Sequence, residues 1–90
     1  MLAGEAERKI LSALEVFTAR QIATSQAPNA QTYLPRLAER DGLLDGASGT
    51  IARRALSALI DRGEILVGQS LGWKKADRHP AMGLARRATP

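Results

Sequence analysis

Two adjacent arginines, Arg53 and Arg54, stand inside an apolar repeat that follows Ser48. A guanidinium group can grip a phosphate or read the edge of a guanine through two parallel hydrogen bonds, and hydroxyl groups make weaker contacts of both kinds. Thr50 and Ser57 bring hydroxyl groups within about two helical turns of this pair. This set of hydrogen-bond donors, together with the Ser48 hydroxyl just before it, is typical of a surface that contacts the phosphates and bases of DNA.

The two arginines must be carried by a helix, because apolar residues recur around them at intervals of three and four positions. The repeat predicts a helix from Thr50 to Arg62, which Gly63 ends with a left-handed cap. Its buried stripe is expected to be Ala52, Ala55, Leu56, Leu59 and Ile60. All four donors fall outside that stripe and therefore face outward.

A β-hairpin is expected immediately after this helix, over residues 64–75. β-Branched and apolar residues lie on both sides of "GQSLG", which predicts two short strands, 65–67 and 72–74, joined by a loop. Two lysines at the base of this hairpin would lie near a DNA backbone, while its tryptophan either stacks on a sugar or packs the hairpin against the helices. The hairpin residues assigned to DNA contact are Gln69, Ser70, Trp73, Lys74 and Lys75.

The first half of the chain predicts the helices that support this unit. Apolar spacing indicates a first helix over 5–17 and a short helix that Thr18 would cap. A further helix is readable in "AQTYLPRLAER", provided that Pro35 lies in its first turn. Residues 41–49, rich in Gly and Asp, read as a turn.

This order of elements predicts a mainly helical fold with a small β-hairpin, that is, a winged helix-turn-helix with three to four helices. In that fold helix 50–62 enters the major groove of DNA and hairpin 64–75 serves as the wing. The winged-helix domain is expected to span residues 1–76. Residues 77–90 have no sustained period and carry three arginines, so they are expected to form a flexible basic tail.

Composition and charge point to the same class of partner. The net charge is +4, but residues 1–49 sum to −1 and residues 50–90 to +5. A basic half on a small domain suits a polyanion, because counterion release supplies most non-specific affinity for nucleic acids. Cysteine is absent, which is typical of a cytoplasmic protein, and neither a signal peptide nor a membrane-spanning run is present.

Catalysis and cofactor binding are not expected. His79 is the only histidine and no cysteine accompanies it, so no zinc-ligand spacing occurs. No phosphate-binding glycine loop or nucleophile motif is present either. The sequence therefore predicts neither an enzyme nor a metal, cofactor or small-molecule site.

The stretch "SGTIARRALSALIDRGEILVGQSLG" resembles the winged-helix DNA-binding domain of the gluconate-repressor (GntR-type) regulators. The resemblance implies that Arg53 contacts DNA and that the Gln69 to Gly72 loop forms the tip of the wing. Gly49 and Ile51 stand where that family usually has Arg and Thr. The matching positions are Ser48, Arg53, Ala55, Leu56, Leu59, Gly63 and Gly72.

Three functions remain open at the level of the sequence. The first is a sequence-specific DNA-binding regulator, a small repressor that binds a pseudo-palindrome as a homodimer through its 5–17 helix. The second is a winged-helix module for protein–protein interaction, since a fold does not dictate function. The third is non-specific architectural binding of DNA, or binding of structured RNA, which would depend steeply on salt and little on sequence.

Overall fold

Three helices followed by an antiparallel pair of strands make up the described part of the chain. The computed structural model describes residues 3–44, 46, 49–75 and 77–87. This order confirms the prediction of helices followed by a β-hairpin, and it is compatible with a winged-helix layout. The elements are α1 (Ala3–Ala19), α2 (Leu34–Arg40), α3 (Gly49–Asp61), β1 (Ile65–Lys74) and β2 (Pro80–Arg86).

The core lies where the three helices meet the base of the hairpin. From α1, Ile10, Leu14 and Phe17 are fully buried, at the spacing of one helix face. The same core includes Leu34 and Leu37 of α2. The buried residues of α3 are Ala52, Ala55, Leu56 and Leu59, as its spacing predicts, while Ile60 is only partly buried.

α1 extends through Thr18, so the prediction of a separate short helix starting there is wrong. The helix continues to Ala19, with Phe17 buried in the core. Gln21, two residues beyond its end, has a φ of 57°, and the Ile22 N–H donates to the Phe17 carbonyl at 2.8 Å. A non-glycine residue therefore performs the left-handed capping that glycine usually performs.

The next two helices begin and end close to their predicted limits. Pro35 lies in the first turn of α2, where its missing N–H costs no helical hydrogen bond. α3 spans Gly49–Asp61, and Gly63 adopts a φ of 75° directly after it. The Glu64 N–H donates to the Leu59 carbonyl at 2.9 Å, which closes the cap as predicted.

The hairpin differs from the prediction in the position of its turn. β1 is one strand of ten residues, and residues 68–71, expected to be the loop, lie inside it. Gly68 and Gly72 have φ values of 67° and 89°, and the register between the strands shifts beside each of them. These glycines therefore form bulges in a continuous strand, and the two-strand assignment 65–67 and 72–74 is wrong.

The partner of β1 comes from the segment expected to be a flexible tail. Residues 80–86 form β2, antiparallel to β1, with Ile65 opposite Arg86 and Lys74 opposite Pro80. Ala81 and Leu84 are buried, which anchors the strand to the body of the protein. Pro80 is tolerated because it occupies the first position of the strand.

β2 also meets the segment that joins α1 to α2. The Leu84 N–H donates to the Thr24 carbonyl at 3.1 Å. A Cβ atom placed on Gly83 would lie only 2.7 Å from the same carbonyl oxygen. The hairpin is therefore held against the helical body through a close backbone approach that only glycine permits.

None of the described helices combines the length and the apolar character that a membrane span requires.

Candidate nucleic-acid interface

The exposed side of α3 carries the donors that its sequence predicted. Thr50, Arg53, Arg54 and Ser57 are all exposed, whereas the opposite side of the helix is buried in the core. Ser48, the remaining residue assigned to this surface, lies outside the described residues. The core contacts of α3 thus fix which of its side chains can reach a partner.

The two arginines of α3 lie on different flanks of the helix. Consecutive helix residues point about 100° apart. Arg53 accordingly lines hollows beside Pro28 and Tyr33 on the α2 side, while Arg54 lines a groove beside Ala6 of α1. Arg53 and Arg54, although adjacent in sequence, therefore lie at opposite edges of the exposed face of α3.

Arg36 joins this surface, although its sequence context did not single it out. It is exposed on α2 and lines the same hollow of about 170 Å³ as Arg53. Its guanidinium donates to the Pro28 carbonyl at 3.2 Å, which orients the side chain. In the sequence, Arg36 already lies outside the apolar residues of α2, which indicates an exposed side chain. The helix has only seven residues, however, so its apolar spacing alone does not show which side of it is buried.

The acidic side chain of Glu39, a residue of α2, lies beside the first residue of α3. Its Oε2 atom is 3.8 Å from the position that a Cβ on Gly49 would occupy. A carboxylate at the N-terminal end of a helix stabilises the helix dipole. Glu39 therefore supports the start of α3 within the basic surface.

The turn of the hairpin forms a second cluster of cations. The Lys75 N–H donates to the His79 carbonyl, and the Arg78 N–H donates to the Lys75 carbonyl, both at 2.9 Å. Asp77 caps the turn by accepting the His79 N–H at 3.1 Å. Lys74, Lys75 and Arg78 are exposed, so the turn presents three cations where a loop of small polar residues was expected.

Because the turn lies later in the chain than predicted, Gln69 and Ser70 are not part of it. They lie opposite Gly83 and Met82 in the middle of the hairpin, and the Gln69 amide donates to the Val67 carbonyl. Their placement at a wing tip is wrong, while their contact with DNA stays a prediction. Trp73 is half-buried on β1.

The cations of the chain differ in whether they form ion pairs. Arg20, Arg40, Arg62 and Arg86 each pair with a carboxylate. No ion pair with any described residue is made by the cations on the exposed face of α3 and on the hairpin turn, which are Arg53, Arg54, Lys74, Lys75 and Arg78. Elsewhere in the described ranges, ion pairs are also lacking for Arg8, Arg87 and Arg36, the last of which donates to a backbone carbonyl.

Arg62, at the end of α3, is committed to structure. Its guanidinium bridges Glu64 at the start of the hairpin and Glu7 of α1. The hydrogen bonds that Arg62 donates, first to Glu64 and then to Glu7, raise the pKa of Arg62 above its ordinary value. Arg62 therefore joins three elements, and its charge is neutralised within the chain.

Within the described ranges no cluster of His, Asp and Glu side chains is arranged to hold a metal ion. None of the protein families, curated proteins and solved structures compared with this chain matches it. The function is therefore inferred from the chain's own geometry and charges.

Proposed function

We propose that this protein is a sequence-specific DNA-binding regulator of winged-helix type, with α3 in the major groove and the hairpin turn on the phosphate backbone. The observation that carries the proposal is that the cations on the exposed face of α3 and on the hairpin turn make no ion pair with any described residue. Arg62, by contrast, is paired within the fold. The cations that remain unpaired are available to phosphates, whose neutralisation drives affinity for nucleic acids.

The dimensions and chemistry of α3 suit direct reading of bases. The helix has 13 residues, about 20 Å of length, and the major groove admits a helix of this kind. Arginines on both flanks and hydroxyl groups between them supply donors to bases and to both phosphate strands. We assign base reading to Arg53 and Ser57, with Thr50, Arg36 and Arg54 on phosphates.

We further propose that the protein binds a pseudo-palindromic DNA site as a homodimer. One chain offers one recognition helix, which covers few base pairs, and two half-sites raise both affinity and specificity. The apolar face of α1 is used in the core, and we propose its exposed polar side as the dimer surface. We also propose that the dimer acts in the cytoplasm as a repressor, by excluding other proteins from its site.

Removing the charges of the hairpin turn should weaken binding to all duplexes alike. In the triple variant Lys74→Ala, Lys75→Ala and Arg78→Ala, the slope of log affinity against log salt should become shallower by about two to three, at about 0.9 per lost phosphate contact. Anisotropy titrations of labelled duplex DNA over a range of salt concentrations measure that slope.

The matched control removes three paired cations and the same net charge. Arg20 and Arg40 pair with Asp41, and Arg86 pairs with Glu15; changing these three to alanine should leave the slope near that of the unaltered protein. Equal slopes in both triple variants would mean that only net charge matters, and would remove the hairpin turn from the interface. Wild-type protein that binds no duplex at any salt would refute the proposed function and favour a protein-interaction module.

A further inference from the structure

A groove of about 410 Å³ runs between α1 and α3, beside the proposed DNA surface. Its floor is formed by Ala6, Ile51, Ala55 and Ala58, and the floor extends along α3 for about 10 Å. Small side chains leave this space open where larger ones would fill it. The volume falls within the usual range for small-molecule sites, about 300–1,000 Å³.

The charges at the rim of the groove define what it can hold. Arg62 and Glu7 line one end and form an ion pair, in which Arg62 also contacts Glu64. Arg54 lines the groove as well, and no described residue pairs with it. An apolar floor with one unpaired guanidinium is complementary to a molecule that has an apolar body and one carboxylate.

The extent of the groove favours a small molecule over a protein. Seven residues line it, whereas a stable protein interface uses about 20–30 residues on each side. A short alkyl chain would bury its methylene groups on Ile51 and Ala58. One bidentate pair with Arg54 would fix its orientation.

We infer that the α1–α3 groove binds a small amphipathic carboxylate, with the apolar part on Ile51 and Ala58, the partly exposed residues of its floor, and the carboxylate on Arg54. No ligand was expected from the sequence. The regulatory consequence rests on the proposed function: a carboxylate bound to Arg54 takes that cation from the DNA phosphates. Binding of the carboxylate and binding of DNA are therefore antagonistic.

Octanoate is the probe, and heptyltrimethylammonium, with the same alkyl chain and the opposite charge, is its control. Binding to the full chain is measured by calorimetry, and the site is mapped by amide chemical shifts. Octanoate should bind saturably and shift the amides of Ala6, Ala55 and Ala58. Arg54→Gln should weaken it by about tenfold, the cost of one charged hydrogen-bonded contact, and Ala58→Leu should weaken it by filling the groove.

Arg53→Gln is the matched control, because it removes the same charge one position away on the other flank of α3; its affinity for octanoate should stay within about twofold of wild type. The inference would be overturned if octanoate did not bind saturably, or if both probes bound equally well. It would also be overturned if the amide shifts mapped to Val67 and Met82, which are exposed apolar residues of the hairpin, or if the protein formed a concentration-dependent dimer whose shifts mapped to the groove. Saturating octanoate should also weaken DNA binding by the wild type. If the protein binds no DNA, the proposed function fails while the octanoate result still decides the inference.

Discussion

Arg53→Ala is expected to lower affinity for the preferred DNA by about 1–3 kcal/mol, or roughly 5- to 150-fold, and to relax selectivity at one base pair. The reason is the position of Arg53 on the exposed flank of α3, next to Ser57 and without a paired carboxylate among the described residues. Anisotropy competition between the preferred duplex and a scrambled duplex at constant salt measures both quantities. Non-specific affinity should change far less than specific affinity.

Arg40→Ala is the control for this prediction. Arg40 is exposed and paired with Asp41, and exposed pairs of this kind contribute little stability. Its removal should leave the ratio of specific to non-specific affinity unchanged. If Arg53→Ala left that ratio unchanged as well, α3 would not be reading bases through this residue.

Gly83→Ala is expected to destabilise the fold by about 1–3 kcal/mol. The added methyl group would lie 2.7 Å from the Thr24 carbonyl oxygen and 3.3 Å from the Thr24 nitrogen. That carbonyl also accepts the Leu84 N–H, so moving it would cost a hydrogen bond. Thermal unfolding should show a melting temperature lower by about 4–8 °C for each kcal/mol lost.

Gly4→Ala is the matched control, because Gly4 lies in α1 and a Cβ there meets nothing within 4 Å. Alanine favours a helix over glycine by up to about 1 kcal/mol, so this variant should melt at the same temperature or higher. A Gly83→Ala variant as stable as the wild type would mean that β2 does not lie against the Thr24 segment. It would also remove the support that holds the hairpin to the helices.

α3 was predictable because its signals are local. The apolar spacing, the glycine at Gly63 and the arginines outside the stripe are all contained within about fifteen residues. Burial of the stripe then settles which side chains point outward. The sequence alone therefore identified most of the donor set on this helix.

The hairpin was not predictable in the same way, because its register depends on a distant strand. Gly68 and Gly72 favour a turn when they are read locally, and only pairing with β2 makes them bulges. β2 itself contains Pro80 and Gly83 and lacks the alternation of a typical strand. The residues of β2 were consequently assigned to a tail. The turn of the hairpin was predicted within "GQSLG", whereas it lies between Lys74 and Pro80.

Which arginines are free could not be read from the sequence either. Arg62 reaches Glu7 across 55 positions, and Arg86 reaches Glu15 across 71. These pairs exist only because the fold brings α1 next to α3 and the hairpin. The separation of Arg53 and Arg54 onto two flanks follows from helix geometry, but what each flank faces required the structure.

Selection of bound fragments from random duplex DNA at physiological salt, with sizing of the complex, tests most directly whether a dimer of this protein reads a DNA sequence through α3. We expect an enriched inverted repeat bound by two chains, with the enrichment lost when Arg53 and Arg54 are both changed to alanine. Binding without enrichment, or no binding at all, would contradict this expectation.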